Sequence, residues 1–318
     1  MARPDWIQVR YNENRTRPVA DYIETHGIST VCEGALCPNR WTCYPDKEIT
    51  FMILGGRCTR ACGFCGVEKG APGPVDAREH EKILDAVGWL GGDYAVITSV
   101  TRDDLQDNGA GRFVKVIESL KGRGVHVEVL IPDFNGREEL IKTVVDAQPD
   151  VIAHNMETVE SHYRRIRPLS DYHTSLSVLE TVKRVNKDAM TKSGLMLGFG
   201  EDVNEVKGLI RDIRETGCDM LTIGQYLKPL PESHDVVTYV HPEVFRMLEE
   251  YSYELGFKAV RSGPFVRSSL HAKEMWEQAR RLDSCFVSSI QNAKKSPHPN
   301  LPPRGEGTSL SPRLLGEG

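Results

Sequence analysis

Short apolar runs rich in β-branched residues alternate with amphipathic segments through the middle of this chain. The runs predict strands over residues 49–54, 94–100, 126–131, 150–154, 192–197 and 221–227. Between and after them, apolar residues recur at three- and four-residue spacing, which predicts helices over residues 80–90, 112–121, 138–147, 176–185, 205–215 and 243–255. Strands that alternate with helices in this way indicate an α/β fold with parallel strands and right-handed crossovers.

Polar residues cluster at the point where five of the predicted strands end. These clusters lie at residues 98–104, 132–134, 154–157, 198–201 and 224–229. Because the carboxyl ends of parallel strands meet at one rim, the clusters predict a shared pocket. The pattern is compatible with a doubly wound open sheet, and it favours a full or partial TIM-type barrel.

Six of the eight cysteines form two triplets near the N-terminus. The first triplet has the spacing C-x4-C-x5-C and the second has the spacing C-x3-C-x2-C; their members are Cys32, Cys37, Cys43, Cys58, Cys62 and Cys65. An electron-transfer [4Fe–4S] cluster is usually held by four cysteines. Two triplets therefore predict two clusters that each lack one protein cysteine, which leaves an iron free to meet a small molecule.

Disulfide bonds and zinc are the alternative interpretations of the cysteines. Disulfides need an oxidising compartment and usually stabilise small domains that lack a core, whereas this chain has 318 residues and no visible secretory signal. Structural zinc sites have four ligands, usually from paired C-x2–4-C units. Cys62 and Cys65 fit one such unit, and the first triplet does not. Cys218 and Cys285 stand alone and are expected to be buried or incidental thiols.

Composition and charge exclude several classes of partner. The chain is 39 % hydrophobic, with a net charge of −5 and an isoelectric point of about 6.1. No basic excess indicates nucleic acid or a membrane surface, and no stretch approaches the ~18 apolar residues of a membrane span. We therefore expect a cytoplasmic enzyme. The proline- and glycine-rich residues 287–318 predict a disordered tail, because they bury too little apolar surface to offset the entropy of ordering.

The second triplet, with Phe64 inside it and a predicted strand before it, resembles the motif of the radical S-adenosylmethionine (SAM) superfamily. The first triplet narrows the resemblance, and so do residues 96–105, 154–158, 191–196, 224–227 and 267–269. From residue 4 to residue 285 the chain resembles the lipoyl synthase family. This resemblance implies a partial (β/α)6 TIM-type barrel with N- and C-terminal extensions, in agreement with the six predicted strands.

The resemblance also divides the chain into four parts. Residues 1–48 are expected to form an N-terminal extension with the first triplet, and residues 49–256 the radical SAM barrel. Residues 257–286 are expected to form a C-terminal extension with an Arg-Ser-Ser motif, and residues 287–318 the tail.

The reaction that the resemblance implies is the insertion of two sulfur atoms, at C6 and C8 of an octanoyl chain. That chain is carried on a lysine of a lipoyl-carrier domain. An unactivated C–H bond offers no acidic proton, so a cofactor must supply a radical while the protein positions and shields it. In this family, SAM bound to a [4Fe–4S] cluster is cleaved to a 5′-deoxyadenosyl radical, which abstracts the hydrogen.

The family's residue roles carry over by motif. Cys58, Cys62 and Cys65 are expected to hold the SAM-cleaving cluster, whose open iron is chelated by SAM. The side chains expected to contact SAM are Phe64, near the adenine, and the strand-end residues Thr98, Asn155, Glu157 and Glu201.

The first triplet resembles the ligands of the family's auxiliary [4Fe–4S] cluster, which is consumed as the sulfur donor. The fourth ligand in the family is a serine of an Arg-Ser-Ser-Tyr motif, matched here by Arg267-Ser268-Ser269. We expect Ser269 to be the ligand, with Ser268 as the alternative. A serine oxygen is a harder donor than a thiolate, which suits a cluster that is dismantled.

Three features lie outside the family pattern or the cluster motifs. Leu270 stands where the family's Arg-Ser-Ser-Tyr motif has its tyrosine. Residues 228–239 lack the His-Leu-Pro sequence of the family pattern. Arg164, Arg165 and Arg167 form a basic run, for which a solvated helix face and a docking patch for an acidic carrier are both open.

Partners and alternatives follow from the same resemblance. The expected partners are octanoylated lipoyl-carrier domains (2-oxoacid dehydrogenase E2 subunits and glycine cleavage H protein), a low-potential donor such as ferredoxin or flavodoxin, and an Fe–S cluster carrier. One alternative is another two-cluster radical SAM enzyme, such as a methylthiotransferase or a biotin-synthase-like sulfur inserter. The other is a non-catalytic Fe–S or zinc scaffold.

Overall fold

A parallel sheet forms the centre of the molecule. The structure is a computed structural model that describes residues 3–8 and 12–282. Its strands are β1 (Thr50–Ile53), β2 (Arg57–Cys58), β3 (Glu68–Lys69), β4 (Tyr94–Ser99), β5 (His126–Leu130), β6 (Val151–Ala153), β7 (Met190–Leu197), β8 (Met220–Gln225) and β9 (Ala259–Gly263). β2 and β3 pair separately, and the other strands lie side by side in chain order, each parallel to its neighbour.

Helices connect the strands. They are α1 (Glu13–Thr25), α2 (Val31–Gly34), α3 (Arg40–Cys43), α4 (Glu79–Leu90), α5 (Ala110–Lys121), α6 (Glu138–Asp146), α7 (Glu160–Ile166), α8 (Tyr172–Val185), α9 (Val203–Glu215) and α10 (Pro242–Glu254). All six predicted helices are confirmed, as α4, α5, α6, α8, α9 and α10. In the part of the chain that the structure describes, no helix is long and apolar enough to cross a membrane.

The sheet is an open barrel with one strand more than predicted. Each of the edge strands β1 and β9 pairs with a single neighbour in this sheet, so the sheet does not close. Strand order follows chain order without the reversal that defines a doubly wound sheet, which confirms the partial barrel and excludes that alternative. The predicted strands are β1 and β4 to β8. The pattern missed β9 because its sequence, Ala-Val-Arg-Ser-Gly, has only two apolar residues.

The two ends of the barrel have different surroundings. A helical segment that begins at Ala272 packs Met275, Trp276 and Ala279 against the first residues of β6, β8 and β9. Apolar packing therefore covers the amino ends of these strands, and the carboxyl ends are left for polar loops. Cys285 and the predicted tail at 287–318 lie outside the described residues.

A buried ion pair joins two strands of the barrel. Lys192 on β7 donates to Glu128 on β5 over 2.8 Å, and the side chains of these two residues are 0 % and 1 % exposed. The hydroxyl of Tyr94 on β4 donates to the second oxygen of the same carboxylate. Together these three side chains link β4, β5 and β7. Removal of either member of the ion pair would leave an unpaired charge in the low-dielectric interior.

Glu128→Gln is predicted to lower the free energy of unfolding by about 3–5 kcal/mol, because it leaves the Lys192 ammonium buried without a counter-charge. The matched control is Glu138→Gln, which removes a surface pair with Arg184 whose side chains are 63 % and 59 % exposed; there we expect a loss of under about 1 kcal/mol. Anaerobic urea unfolding followed by circular dichroism measures both. Equal losses would contradict the role given to the buried pair.

Candidate active site

The second cysteine triplet lies at the carboxyl end of the sheet, and the first triplet lies in the segment before β1. In the first triplet, Cys32 is in α2 and Cys43 ends α3. The second triplet follows β1: Cys58 is in β2, and Cys62 and Cys65 are in the loop before β3. The cysteines of the described chain, Cys218 included, are free thiols.

One central cavity of about 330 Å³ brings most of the predicted site together. All three cysteines of the second triplet line it, together with Cys32 and Cys37 of the first. The predicted SAM contacts on its wall are Phe64, Thr98, Asn155 and Glu157. The structure therefore brings the strand ends of β4 and β6 to the same space as both cysteine loops.

Backbone amides and a buried arginine fix the loop of the second triplet. The amides of Arg60 and Thr101 donate to the Cys58 sulfur over 3.4 and 3.3 Å. The Arg60 guanidinium forms ion pairs with Asp103, after β4, and with Asp133, after β5. These two carboxylates hold the loop to two strand ends and neutralise its buried cation.

The same loop is held from the other side by α7 and by the segment after β8. The Gly63 amide donates to the Ile166 carbonyl over 2.9 Å, and the Gly63 carbonyl accepts from the His234 amide over 2.9 Å. Tyr226 in turn donates its hydroxyl to the His234 carbonyl over 2.7 Å. His234 belongs to residues 228–239, whose sequence departs from the family pattern, and its amide contacts the loop of the second triplet.

The end of β6 presents polar groups to the cavity. The Oδ1 atom of Asn155 is buried and has no hydrogen-bond partner within the described chain. Glu157 lies in the left-handed backbone region, at φ 67°, where non-glycine residues are uncommon and are enriched at functional sites. Burial raises the pKa of Glu157, and the nearby Arg167 cation acts against this shift. An unsatisfied acceptor beside a carboxylate suits a ligand that carries an amino group.

Thr98 and Phe64 have apolar or structural contacts as well. Thr98 donates its hydroxyl to the Leu130 carbonyl over 3.0 Å. Phe64 packs against a buried cluster of Ile166, Phe199 and Tyr226. Each side chain therefore lines the cavity and also packs or bonds within the protein.

Glu201 is the predicted SAM contact that the structure does not bring to the cavity. It is absent from the cavity wall. Its carboxylate oxygens accept from the backbone amides of Gly198 and Phe199, at 2.5 and 2.9 Å. In this structure the carboxylate fixes the turn after β7.

A second cavity, of about 300 Å³, is lined by all three cysteines of the first triplet and by Ser269. Two contacts bring the Arg-Ser-Ser segment to this place. Asn39 donates its side-chain amide to the Phe265 carbonyl over 2.6 Å. Gly224, at the end of β8, has no room for a Cβ because the Val266 carbonyl lies against it.

The two candidate serines have different surroundings. Ser269 lines both cavities, whereas Ser268 lines only the central one. Asn155 donates its side-chain amide to the Ser268 hydroxyl over 3.4 Å. Ser269 therefore lies beside the first triplet, whereas Ser268 faces the central cavity.

The two cysteine loops touch each other. A Cβ built on Gly66, which follows Cys65, would lie 2.9 Å from the Ala35 carbonyl oxygen and 3.1 Å from Pro229. Ala35 lies between Cys32 and Cys37, so the contact joins the second loop to the first. Both cysteine loops consequently form part of the wall of the central cavity.

Burial raises the pKa of the thiols in these loops. The pKa of Cys32 and of Cys65 rises to about 12, and that of Cys43 and of Cys62 is raised as well. A metal that binds these thiols as thiolates would have to displace protons, so its binding would depend on pH. Across the described residues, no three His, Cys, Asp or Glu side chains converge as a single bound metal ion requires.

Sequence reasoning missed the charged groups that support the loops. Glu33 accepts from Arg40 over 2.9 Å and from the buried Tyr44 hydroxyl over 2.8 Å, which braces the first triplet. The Arg60 network is the equivalent for the second. The only sequence signal for these supporting groups is that Glu33, Arg40 and Arg60 lie between the cysteines of the triplets.

The basic run after β6 is not one surface patch. Arg164 is exposed, whereas Arg167 is buried and points into the protein. Arg165 donates to the Phe199 carbonyl over 2.8 Å. Only part of the run is therefore available for docking.

Comparisons with known proteins agree with this architecture. A sequence profile of the Radical SAM superfamily matches residues 52–213, from β1 into α9. Among solved structures, methylornithine synthase (PylB) aligns with a TM-score of 0.53 at 12 % identity, covering 79 % of this chain and 71 % of that chain. SuiB of Streptococcus suis, in a structure bound to S-adenosylmethionine, aligns with a TM-score of 0.52 at 9 % identity, covering 77 % and 53 %. Both share the fold.

Several curated relatives are much more similar in sequence. The lipoyl synthase of Caldanaerobacter subterraneus subsp. tengcongensis is 49 % identical over 271 residues, which cover 85 % of this chain and 95 % of the relative. The lipoyl synthase of Caldicellulosiruptor bescii is 46 % identical over 288 residues, covering 89 % and 99 %. That of Methanocella arvoryzae is 46 % identical over 279 residues, covering 86 % and 94 %. Since this identity extends over nearly the whole length of each relative, the chain belongs to the lipoyl synthase family of radical SAM enzymes, which insert sulfur.

Proposed function

We propose that the two triplets hold two [4Fe–4S] clusters and that the auxiliary cluster supplies the sulfur for a protein-bound octanoyl chain. Membership of the family implies a [4Fe–4S] cluster, SAM, and an octanoylated carrier protein as the substrate. The observation that carries this proposal is the central cavity, which is lined by all three cysteines of the second triplet, by Cys32 and Cys37 of the first, and by Ser269.

Cys58, Cys62 and Cys65 hold the SAM-cleaving cluster, which with SAM supplies a carbon radical able to take a hydrogen atom from an alkyl chain. Backbone amides aimed at the Cys58 sulfur fit a thiolate ligand, since such donors stabilise its charge. The Arg60 network keeps the loop still.

The chain's own groups orient SAM. Asn155 offers its unpartnered oxygen, and Glu157 offers a carboxylate, to the ammonium group of the methionine part. Phe64 and Thr98 line the space for the nucleoside. Glu201 is left out of this contact set, and we assign it to the turn after β7.

Cys32, Cys37, Cys43 and Ser269 hold the auxiliary cluster. Three thiols and one hydroxyl around one cavity fit a cluster with a single hard, weakly held ligand. Protonation of the Ser269 oxygen would weaken its hold on the cluster, so this residue is the place at which the cluster would open towards the substrate.

The substrate chain lies between the clusters. Much of the central cavity wall is apolar, from Val31, Leu36, Pro38, Met52, Val67, Val100, Leu130, Met196, Leu227 and Pro229. Such a wall favours an eight-carbon acyl chain and excludes water, which would otherwise quench reactive species.

We further propose the partners named by the family pattern. The carriers are the E2 subunits of 2-oxoacid dehydrogenases and glycine cleavage H protein, in the cytoplasm. A low-potential donor such as ferredoxin or flavodoxin supplies electrons, and an Fe–S carrier rebuilds the auxiliary cluster after it is consumed.

Replacement of each triplet by alanine is predicted to separate the two cluster functions. The variant with Ala at Cys58, Cys62 and Cys65 is expected to keep roughly four of eight irons and to cleave no SAM. The variant with Ala at Cys32, Cys37 and Cys43 is expected to cleave SAM without inserting sulfur. Iron analysis, 5′-deoxyadenosine and product mass with an octanoyl-lysyl peptide measure this. Sulfur insertion by the second variant would contradict the donor assignment, and iron loss from both sites in either variant would contradict separate clusters.

Ser269→Ala is predicted to alter the auxiliary cluster and to lower sulfur insertion by about tenfold or more, because the cluster loses a ligand. Ser268→Ala is the matched control, and we expect it to keep the auxiliary cluster's Mössbauer signature. Ser269→Cys replaces the oxygen by a thiolate and should slow iron loss to a chelator. A changed auxiliary signature in Ser268→Ala with a normal one in Ser269→Ala would reverse the ligand assignment.

A further inference from the structure

Arg167 is a buried cation next to the second cysteine loop. It directly follows α7, and only 8 % of its surface is exposed. Its Nη1 group donates to the Asn155 and Met156 carbonyls at 3.2 and 3.4 Å and to the Tyr163 hydroxyl at 2.6 Å. The guanidinium therefore supports the strand end that carries Asn155.

The charge of Arg167 is compensated differently from that of Arg60. Arg60 is also buried, and it forms ion pairs with two carboxylates, Asp103 and Asp133. Within the described residues Arg167 has no carboxylate at ion-pair distance. Its Nε atom is buried and has no hydrogen-bond partner in this part of the chain. A buried cation without a paired anion is costly, so the arrangement points to an anion that completes the site.

The second cysteine loop lies beside this cation. The Ile166 carbonyl, one residue before Arg167, accepts from the Gly63 amide, one residue after Cys62. Glu157 lies at the strand end that Arg167 supports, and the Arg167 cation acts to lower its pKa. The group that gains most negative charge here during turnover is a thiolate-bound iron cluster when it accepts an electron.

We propose that Arg167 is the fixed counter-charge of the SAM-cleaving cluster, and that its positive charge favours the reduced cluster. The inference rests on the proposed function, in which Cys58, Cys62 and Cys65 hold that cluster. One electron passes from an external low-potential donor to the cluster, and no bond changes in this step. Arg167 is a positioning and tuning residue, because it acts on the cluster through the field and on Asn155 through hydrogen bonds.

The test is an EPR-monitored redox titration of the holoprotein, with and without SAM. Arg167→Gln removes the charge, and Arg167→Lys keeps it while losing the planar hydrogen bonds. Tyr163→Phe removes a hydrogen-bond partner of Arg167 and leaves the charge in place. Arg164→Gln is the matched control, because it removes an exposed arginine from the same helix.

We expect Arg167→Gln to reduce the ratio of reduced to oxidised cluster by about tenfold at a fixed potential, a shift of about 59 mV to more negative values for one electron. Arg167→Lys, Tyr163→Phe and Arg164→Gln should stay near the parent potential. The shift should be present without SAM, since the cluster itself is the anion.

Three results would overturn the inference. They are an unchanged potential in Arg167→Gln, an equal shift in Tyr163→Phe, and a shift that occurs only with SAM bound, which would make the SAM carboxylate the anion. If Arg167→Gln does not load its cluster, Arg167→Lys with a strongly shifted potential would overturn the inference, and a parent-like potential would support it. Absence of this cluster from the parent protein would instead contradict the proposed function.

Discussion

The contact between the two cysteine loops is the constraint on which the site depends. The loop after β1 meets the loop between α2 and α3 at Gly66 and Ala35, where the backbone leaves no room for a side chain. A short-lived radical and a sulfur donor must act on the same alkyl chain, so their sites have to be held at a fixed separation. The parallel sheet contributes to this, because it brings several strand ends and the second cysteine loop to one rim, and the first loop packs against the second.

Charge compensation is the second requirement. Ion pairs brace both cysteine loops: the buried Arg60 pairs with Asp103 and Asp133, and the partly exposed Glu33 pairs with Arg40. Arg167 stands apart, because its guanidinium donates to the carbonyls at the end of β6 and has no paired carboxylate among the described residues. Pairing holds the loops, whereas the charge of Arg167 is the one that we propose acts on the SAM-cleaving cluster.

The sequence was informative where chemistry is local and uninformative where it depends on distant contacts. Cysteine spacing and β-branched runs predicted the triplets and strands β1 and β4 to β8, because each signal lies within a few residues. The edge strand β9 was missed, since its pairing with β8 rather than its apolar content stabilises it. The buried position of Arg167 and the contacts of Glu201 within its turn were not predicted for a related reason. Whether a charged side chain faces a cavity, a turn or a strand end is decided by tertiary packing.

The sulfur source is the most direct test of the account. The holoprotein would be assembled with a heavy sulfur isotope in its clusters and allowed a single turnover, without free sulfide, on an octanoyl-lysyl carrier. We predict that mass spectrometry finds the heavy isotope at both C6 and C8, because the first triplet, which we propose holds the auxiliary cluster, borders the central cavity proposed to receive the chain. A lipoyl product that carries only light sulfur would contradict the account.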